Sequence, residues 1–180
     1  MRIVAGTHRG RRLTAPPGRD VRPTSDRVRE ALFAILESAG GVAGRRVLDL
    51  FAGSGALGLE ALSRGAASAV FVDRSPRAVA AVRANLEALG VSAAVHRREA
   101  LVHLRAASAR GDTYDLAFLD PPYRQAAGLG PGLGAALPAV LAPGARVVVE
   151  SDHRAAPALG LEVIDERRYG DTLIRIHHDR

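Results

Sequence analysis

Short apolar segments alternate with helical patterns from residue 46 onward, and this alternation constrains the fold more than any other feature. The apolar segments cover residues 47–51, 69–73, 93–96, 115–120 and 146–150. The helical patterns between them cover residues 56–63, 76–89 and 100–107, and a last one follows a Gly-rich loop and reaches residue 141. Because the apolar segments are not interrupted by polar residues at every second position, they are typical of parallel strands buried on both faces. We therefore predict a doubly wound α/β sheet, with a ligand crevice at the carboxyl ends of its central strands.

The two ends of the chain carry other patterns. Residues 2–6 and 11–13 flank a Gly-containing segment, and this pattern predicts a short β-hairpin. A helix is predicted after the hairpin, with Thr24 or Ser25 as its N-cap and its end at Gly40-Gly41. Its apolar positions have helical spacing: Val28, Ala31, Leu32, Ile35 and Leu36. At the C-terminus, residues 161–167 and 172–177 predict a closing antiparallel pair. We therefore divide the chain into an extension of residues 1–20 and a domain of residues 21–180.

Length and composition narrow the functional classes. With 180 residues, 47% of them hydrophobic, the chain suits one compact domain. It contains no cysteine, which excludes disulfides, thiolate metal sites and the cysteine-dependent methylation of pyrimidine C5. The six histidines show no metal-ligand spacing with acids, so we expect no metal. Without a long apolar run or a signal-peptide pattern, we expect a soluble cytoplasmic protein with no membrane partner.

Positive charge is concentrated near the N-terminus. Residues 1–30 hold eight arginines and three acids, a net charge of +5, whereas the whole chain carries +6. Arg9, Arg11 and Arg12 crowd the predicted hairpin, and Arg22 follows it. A basic arm on a nearly neutral body indicates a polyanionic partner, so we expect these four arginines to bind nucleic-acid phosphates. The alternative is a solvated terminus that only increases solubility.

A glycine-rich turn follows the first predicted strand. Gly53, Gly55 and Gly58 match the dinucleotide fingerprint, and Asp73 comes about 20 residues later, where a ribose-binding acid belongs. On this pattern alone, an NAD enzyme is the second interpretation. Asp49 favours S-adenosylmethionine (AdoMet), because a carboxylate there would repel a pyrophosphate but stabilise the sulfonium and ammonium groups of AdoMet. A tight turn with no ligand is the structural alternative.

The predicted AdoMet site extends beyond the glycines. The turn itself would contribute five residues: Phe51, Ala52, Gly53, Ser54 and Gly55. Asp73 would accept hydrogen bonds from both ribose hydroxyls. Arg74 would pack along the adenine, and Glu99 and Ala100, after the third strand, would meet the adenine edge.

The segment Asp120-Pro121-Pro122-Tyr123 stands at the end of the fourth predicted strand. An exocyclic amine on a nucleobase is a poor nucleophile because its lone pair is delocalised into the ring. Asp120 and the carbonyl of Pro121 would accept the hydrogens of such an amine, while the two prolines hold these oxygens rigidly. Tyr123 offers a ring on which an extruded base can stack. The segment therefore indicates an amino-methyltransferase that acts on nucleic acid.

Over nearly its whole length, the chain resembles the bacterial 16S ribosomal RNA guanine-N2 methyltransferases of the small-subunit type. The resemblance depends on residues 2–6, 9–13, 22–33, 49–62 and 120–123. It implies a Rossmann-like seven-stranded AdoMet-dependent methyltransferase fold with an N-terminal β-hairpin extension. It also implies AdoMet as the methyl donor, a guanine of 16S rRNA as acceptor, either free or within the small subunit, and closure of the segment around Arg22, Thr24 and Asp26 over the methionine end of the cofactor. Residues 124–134 depart from the expected pattern, because they are Gly-rich and lack the polar and aromatic residues expected beside a base pocket.

Two other functions remain open at the level of sequence. A DNA amino-methyltransferase acting on adenine N6 or cytosine N4 would use the same chemistry, although 180 residues leave no room for a separate target-recognition domain. A non-catalytic RNA-binding protein with a degenerate methyltransferase fold would be expected to lose Asp120 or the glycine turn, and both are present.

Overall fold

The computed structural model describes residues 1–16, 25–154 and 156–178, with residues 123–125 described by their backbone alone. The strands are β1 (Arg46–Leu50), β2 (Ser68–Asp73), β3 (Ala94–Arg97), β4 (Tyr114–Leu119), β5 (Leu141–Asp152), β6 (Glu162–Tyr169) and β7 (Thr172–His178). The helices are α1 (Asp26–Ser38), α2 (Ala56–Ser63), α3 (Pro76–Leu89), α4 (Ala100–Arg110) and α5 (Tyr123–Ala136), and a short 3-10 helix covers Pro138–Val140. Within the described residues, these seven strands form one sheet in the order β3-β2-β1-β4-β5-β7-β6.

The sheet has the doubly wound arrangement that the alternating segments predict. Strands β1 to β5 pair in parallel, and β7 runs antiparallel to both β5 and β6, as predicted for the closing pair. Successive side chains of a strand enter opposite faces, so Val47 packs in one core and Leu48 in the other. Helices α1, α2 and α3 cover the first core, and α4 and α5 cover the second. The carboxyl ends of β1, β2 and β4 consequently meet at one edge of the sheet.

The prediction of a Gly-rich loop after β4 is wrong, because helix α5 begins directly at Tyr123. Its glycines have a packing role. A Cβ atom on Gly130 would lie 2.7 Å from the Ala158 nitrogen, and one on Gly134 would lie 2.0 Å from the Leu159 carbonyl oxygen. The helix can approach segment 158–159 only because these positions lack side chains. Glycine's low helix propensity was overridden by tertiary packing.

The predicted N-terminal hairpin forms only in part. Arg2 and Arg12 make an isolated antiparallel bridge, and the Ile3 N–H donates to the Arg11 carbonyl over 2.9 Å. Regular pairing ends there: the Gly10 N–H donates to the Ile3 carbonyl, the Arg11 N–H donates to the His8 carbonyl, and the N–H groups of Val4 and Ala5 donate to Glu60 on helix α2. We call residues 1–16 the N-terminal arm; it packs on the body of the protein, where Ile3 and Leu13 join the core.

Helix α1 begins where the N-cap pattern predicts. The Ser25 side chain accepts a hydrogen bond from the Val28 N–H over 3.2 Å, so Ser25 is the N-cap, while Thr24 lies outside the described residues. The helix ends at Ser38, just before the predicted Gly40-Gly41 stop. Helices α2 and α3 have the predicted bounds, and strand bounds differ mostly by one or two residues, with β5 longer at both ends.

Candidate cofactor and acceptor site

The turn between β1 and α2 is built from unusual backbone conformations. Phe51 has a positive φ of 61°, which is costly for a residue with a side chain, and Gly53 and Gly55 have φ of 57° and 78°. The Gly55 N–H closes the turn by donating to the Ala52 carbonyl. Among the described residues, a Cβ atom on Gly53 would have only the Phe51 carbonyl oxygen nearby, at 3.9 Å, so this part of the chain leaves the space beside the glycine open. The turn therefore presents accessible backbone at the edge of the sheet.

Asp49 lies beneath this turn and is 3% exposed. Its carboxylate accepts a hydrogen bond from the Gly58 N–H over 2.9 Å, which fixes the first turn of α2 against β1. Burial raises the pKa of Asp49 to about 8, with a further increase from nearby Asp73 and an opposing effect of the Gly58 hydrogen bond. Burial therefore favours the protonated form of Asp49 at neutral pH. The negative charge assumed from the sequence requires a bound cation or a higher pH.

Asp73, the last residue of the neighbouring strand β2, stabilises the same turn by hydrogen bonds. Its Oδ2 accepts from the Gly53 N–H over 3.0 Å, and its Oδ1 accepts from the Ser75 N–H over 2.8 Å. Each carboxylate oxygen retains further acceptor capacity, so a ribose hydroxyl could be added to these bonds. Asp73 thus positions the turn as well as offering the predicted ribose contact.

The residues predicted beside the adenine lie next to one another at the ends of β2 and β3. Arg74 and Glu99 form an exposed ion pair with an N···O distance of 3.6 Å. Ala100, the first residue of α4, is buried. The structure therefore brings these three residues together beyond Asp73, although the two charged side chains contact each other.

Asp120 follows the last residue of β4 and lies close to two other acids. Removal from water raises the pKa of Asp120 well above its usual value, and the nearby carboxylates of Glu150 and Asp49 raise it further. Glu150 lies near the end of β5 and is 4% exposed. The sequence analysis missed Glu150, although an acid that follows an uninterrupted apolar strand is the same signal that identified Asp49 and Asp120.

The rest of the predicted catalytic segment connects β4 directly to α5. Pro121 is buried, Pro122 is exposed and acts as the N-cap position of α5, and Tyr123 is the first residue of the helix. The side chain of Tyr123 lies outside the described residues. Its predicted stacking role therefore stays a prediction.

Arg29 is a second residue that the sequence analysis missed. It is fully buried in α1, and its Nη2 donates to Asp26 over 2.8 Å and to the Arg2 carbonyl. Burial lowers the pKa of Arg29, while Asp26, Glu60 and Glu150 oppose this change. Arg29 thus places a positive charge among the buried acids and links the N-terminal arm to α1.

The arginines predicted to bind phosphates lie on the N-terminal arm. Arg9, Arg11 and Arg12 are exposed, and the Arg11 guanidinium donates to the Ala88 carbonyl near the end of α3. Arg22 lies outside the described residues. The arm therefore presents Arg9 and Arg12 to solvent, whereas Arg11 also fixes the arm to the body.

The family described as conserved hypothetical protein 95 matches residues 1–178 of this chain. The chain belongs to this family. Ribosomal RNA small subunit methyltransferase D of Escherichia coli is 41% identical over 126 residues, which are 69% of this chain and 61% of that protein. YlbH of Bacillus subtilis, named as a candidate rRNA methyltransferase, is 44% identical over 127 residues, 69% of this chain and 68% of that protein. The matched residues thus span less than two thirds of the length of the E. coli relative and slightly more than two thirds of the length of the B. subtilis relative.

A solved structure with the same fold contains both the predicted cofactor and a guanine nucleoside. It is the Thermus thermophilus 16S rRNA N2 methyltransferase RsmC in complex with AdoMet and guanosine, with a TM-score of 0.69 and 26% identity. The match covers 89% of this chain and 44% of that chain. It confirms the Rossmann-like methyltransferase fold.

The described residues contain neither a helix that could cross a membrane nor a cluster of metal-ligating side chains. No helix among them is both long enough and apolar enough to cross a bilayer. No group of three or more His, Cys, Asp or Glu side chains in that part of the chain is arranged to hold a metal ion.

Proposed function

We propose that this protein is an AdoMet-dependent rRNA methyltransferase that modifies the exocyclic N2 amine of a guanine in 16S RNA of the small ribosomal subunit. The observation that carries the proposal is the position of Asp120, which lies close enough to Asp49 to interact electrostatically with it and follows β4 where the neighbouring strand β1 enters the β1–α2 turn. An amine acceptor and the glycine turn therefore follow adjacent strands at the same end of the sheet, since Leu50 and Leu119 are register partners. The small-subunit name of the E. coli relative and the guanosine complex of the T. thermophilus enzyme support the choice of RNA and of guanine.

The residues of the turn fit AdoMet by their chemistry. The backbone beside Gly53 is open, Asp73 retains acceptor capacity for ribose hydroxyls, and Asp49 is a buried acid close to the turn. A cation near Asp49 would stabilise its ionised form, which burial alone disfavours. AdoMet bound here would supply an electrophilic methyl group on a positively charged sulfur.

The catalytic contribution of the protein comes from oxygen acceptors near the end of β4. A carboxyl oxygen of Asp120 accepts a hydrogen from the guanine amine, and the Pro121 carbonyl accepts the other, so that the nitrogen lone pair turns out of the ring plane. Pro121 and Pro122 restrict the backbone that carries these oxygens. Because the pKa of Asp120 is raised, its ionised form is a better base than an exposed carboxylate and can take the proton that leaves nitrogen after transfer.

The N-terminal arm extends this site toward the RNA. Its exposed arginines would contact phosphates outside the crevice, where they position the substrate without reading its sequence. We also infer that residues 1–20 act as an extension to a methyltransferase domain of residues 21–180, and that the protein acts in the cytoplasm, where ribosomal subunits are assembled.

Methylation in vitro tests the proposed reaction. Purified protein is incubated with labelled AdoMet and either unmodified 16S rRNA, small ribosomal subunits or duplex DNA, and the products are digested to nucleosides and analysed by mass spectrometry. We expect N2-methylguanosine from one of the two RNA substrates. Methylated adenine or cytosine, or label in DNA alone, would contradict the proposal, and binding of RNA without any product would indicate a non-catalytic protein.

The role of the arm is tested by removing its two freely exposed arginines. The Arg9→Ala/Arg12→Ala variant should bind RNA more weakly, and its slope of log K against log salt should be shallower by roughly 0.7–0.9 per lost phosphate contact. Affinity for AdoMet should stay unchanged, because neither side chain touches the turn. The matched control is Arg105→Ala/Arg168→Ala, which removes the same charge from α4 and β6. RNA affinity and salt slope equal to those of wild type in the arm variant would show that the arm only contributes to solubility.

A further inference from the structure

Asn85 is a buried amide that joins the N-terminal arm to the β1–α2 turn. It lies on α3 and is 2% exposed. Its Oδ1 accepts from the Thr14 N–H over 2.8 Å, and its Nδ2 donates to the Thr14 carbonyl over 2.9 Å. The same Nδ2 donates to the Ser54 carbonyl, also over 2.9 Å. One side chain therefore holds both the arm and the turn that is proposed to receive the cofactor.

A second contact connects the arm to the same turn. The Ser54 hydroxyl lies 3.6 Å from the Met1 sulfur, at hydrogen-bonding distance for a sulfur acceptor. Ser54 thus contacts the arm through its side chain and through Asn85. The arm is thus linked to the turn at Met1 directly and at Thr14 through Asn85.

Other contacts between the arm and the body do not reach the turn. The Ser63 hydroxyl donates to the Ala5 carbonyl and accepts from the His8 N–H, at the last turn of α2. Ser63 is 1% exposed, so it resembles Asn85 in burial and in fixing the arm. Ser63 differs from Asn85 because it does not contact the turn: it lies at the C-terminal end of α2, whereas Ser54 and Gly55 precede the N-terminal end of that helix.

We propose that Asn85 is a positioning residue that couples RNA binding on the arm to cofactor binding at the turn. The proposal rests on the proposed function, since it requires RNA on the arm and cofactor at the turn. RNA that contacts the arm further restrains Thr14, and through the Asn85 amide it restrains the Ser54 carbonyl. The ligand at the turn then binds backbone that is already ordered, and by linkage it strengthens RNA binding by the same factor.

The coupling is measured by calorimetric titration of S-adenosylhomocysteine, with and without a saturating synthetic guanine-containing RNA hairpin. In wild type, the RNA should tighten binding about fivefold or more, the lower range of measured couplings. In Asn85→Ala the factor should fall to about one, whereas Ser63→Ala should keep the wild-type factor while losing thermal stability. A purely structural Asn85 would lower stability and leave the coupling factor unchanged, which would overturn the proposal.

A measurement on wild type makes the test independent of whether Asn85→Ala folds. Bound RNA should slow amide hydrogen exchange in residues 52–56 as well as in the arm, and slowing confined to the arm would overturn the coupling. If RNA or S-adenosylhomocysteine fails to bind wild type at all, the proposed function fails. If both bind and neither affects the other, only the coupling is wrong.

Discussion

Asp49, Asp120 and Glu150 stand near the carboxyl ends of three neighbouring strands, and burial changes what each carboxyl group can do. One carboxyl oxygen of Asp49 accepts a hydrogen bond from the Gly58 N–H, and burial raises the pKa of Asp49 to about 8. The main role of Asp49 in this structure is therefore to hold helix α2 against β1. Asp120 has a raised pKa because it is removed from water beside the other two acids. At the residue scale, the same amino acid therefore holds the fold in one place and is available for proton transfer in another.

Replacement of Asp120 tests its role as an acceptor. Asp120→Ala should lower turnover by about 100-fold or more and leave cofactor affinity within a few-fold, because an orienting group used in the transition state is lost. Asp120→Asn keeps an oxygen that can accept an amine hydrogen but cannot take up the proton, so its turnover should lie between wild type and Asp120→Ala. Single-turnover rates and calorimetric affinities measure the two effects. Wild-type turnover in Asp120→Ala would remove Asp120 from the mechanism.

Gly53→Val tests whether the open space at the turn receives the cofactor. The substitution places a branched side chain where the free protein has room, so it should abolish AdoMet binding while costing roughly 1–2 kcal/mol of stability for the positive φ. Gly111→Val is the matched control, since Gly111 has a φ of 73°, open surroundings and a position at the C-terminal end of α4. Calorimetry and urea unfolding of both variants separate strain from ligand exclusion. Equal AdoMet affinity in the two variants would show that the cofactor does not approach Gly53.

Helix α5 shows at the scale of elements how packing overrides local preference. It contains four glycines and Pro131, a composition typical of a loop, yet it is continuous from Tyr123 to Ala136. Gly130 and Gly134 face the 158–159 backbone so closely that no side chain fits. Because α5 follows Pro122 immediately, this packing also fixes the backbone that leaves the predicted catalytic segment.

Two glycine substitutions in α5 should have opposite effects on stability. Gly134→Ala should destabilise the protein by about 1–3 kcal/mol, because its Cβ would lie 2.0 Å from the Leu159 carbonyl oxygen. Gly128→Ala should stabilise it by about 0.5–1 kcal/mol, because that position is open and alanine favours the helix. Urea unfolding of both variants provides the comparison. A stabilised Gly134→Ala would mean that α5 does not pack on segment 158–159.

At the scale of the whole molecule, removal from water shifts the pKa values of two acids and of one histidine in opposite directions. Asp49 and Asp120 bind protons more tightly in the folded protein than in the unfolded chain. His103 is 1% exposed, and burial lowers its pKa to about 4, with smaller effects from His96 and nearby charges. The acids and His103 therefore change stability in opposite directions between about pH 4 and 6.5, and only the effect of the acids continues above about pH 6.5, the ordinary pKa of histidine.

The unfolding free energy should fall as the pH rises from about 6.5 to 8. Asp49 has a higher pKa in the folded protein than in the unfolded chain, so its contribution to the stability of the folded state is complete below about pH 4. That contribution is lost as the pH rises through the folded pKa of about 8. His103 has the opposite sign, but its contribution is complete above about pH 6.5 and is lost only as the pH falls toward about 4. Urea unfolding across this range should show a shallower decrease in Asp49→Asn, which retains an oxygen for the Gly58 N–H. Identical pH profiles in the two proteins would show that Asp49 is not protonated by burial.

The sequence by itself determined the alternation of strands and helices, the glycine turn and the acids at strand ends. These signals are local: a buried strand is continuously apolar, and a turn with positive φ needs glycine, so short stretches are sufficient to predict them. The same local patterns indicated AdoMet and an amine of nucleic acid as acceptor, and the resemblance to a known family narrowed the acceptor to a guanine of 16S rRNA.

Only the tertiary structure decided the conformation of residues 123–136, the partial pairing of the arm and the links made by Asn85, Glu60 and Arg29. Each of these features depends on a contact between residues that are distant in sequence. Helix α5 packs on Leu159, the arm donates hydrogen bonds to Glu60, and the turn accepts a hydrogen bond from Asn85. The Asp49 pKa belongs to the same group, because the charge of a carboxylate follows from how much water and which neighbours surround it, and burial is a property of the folded chain.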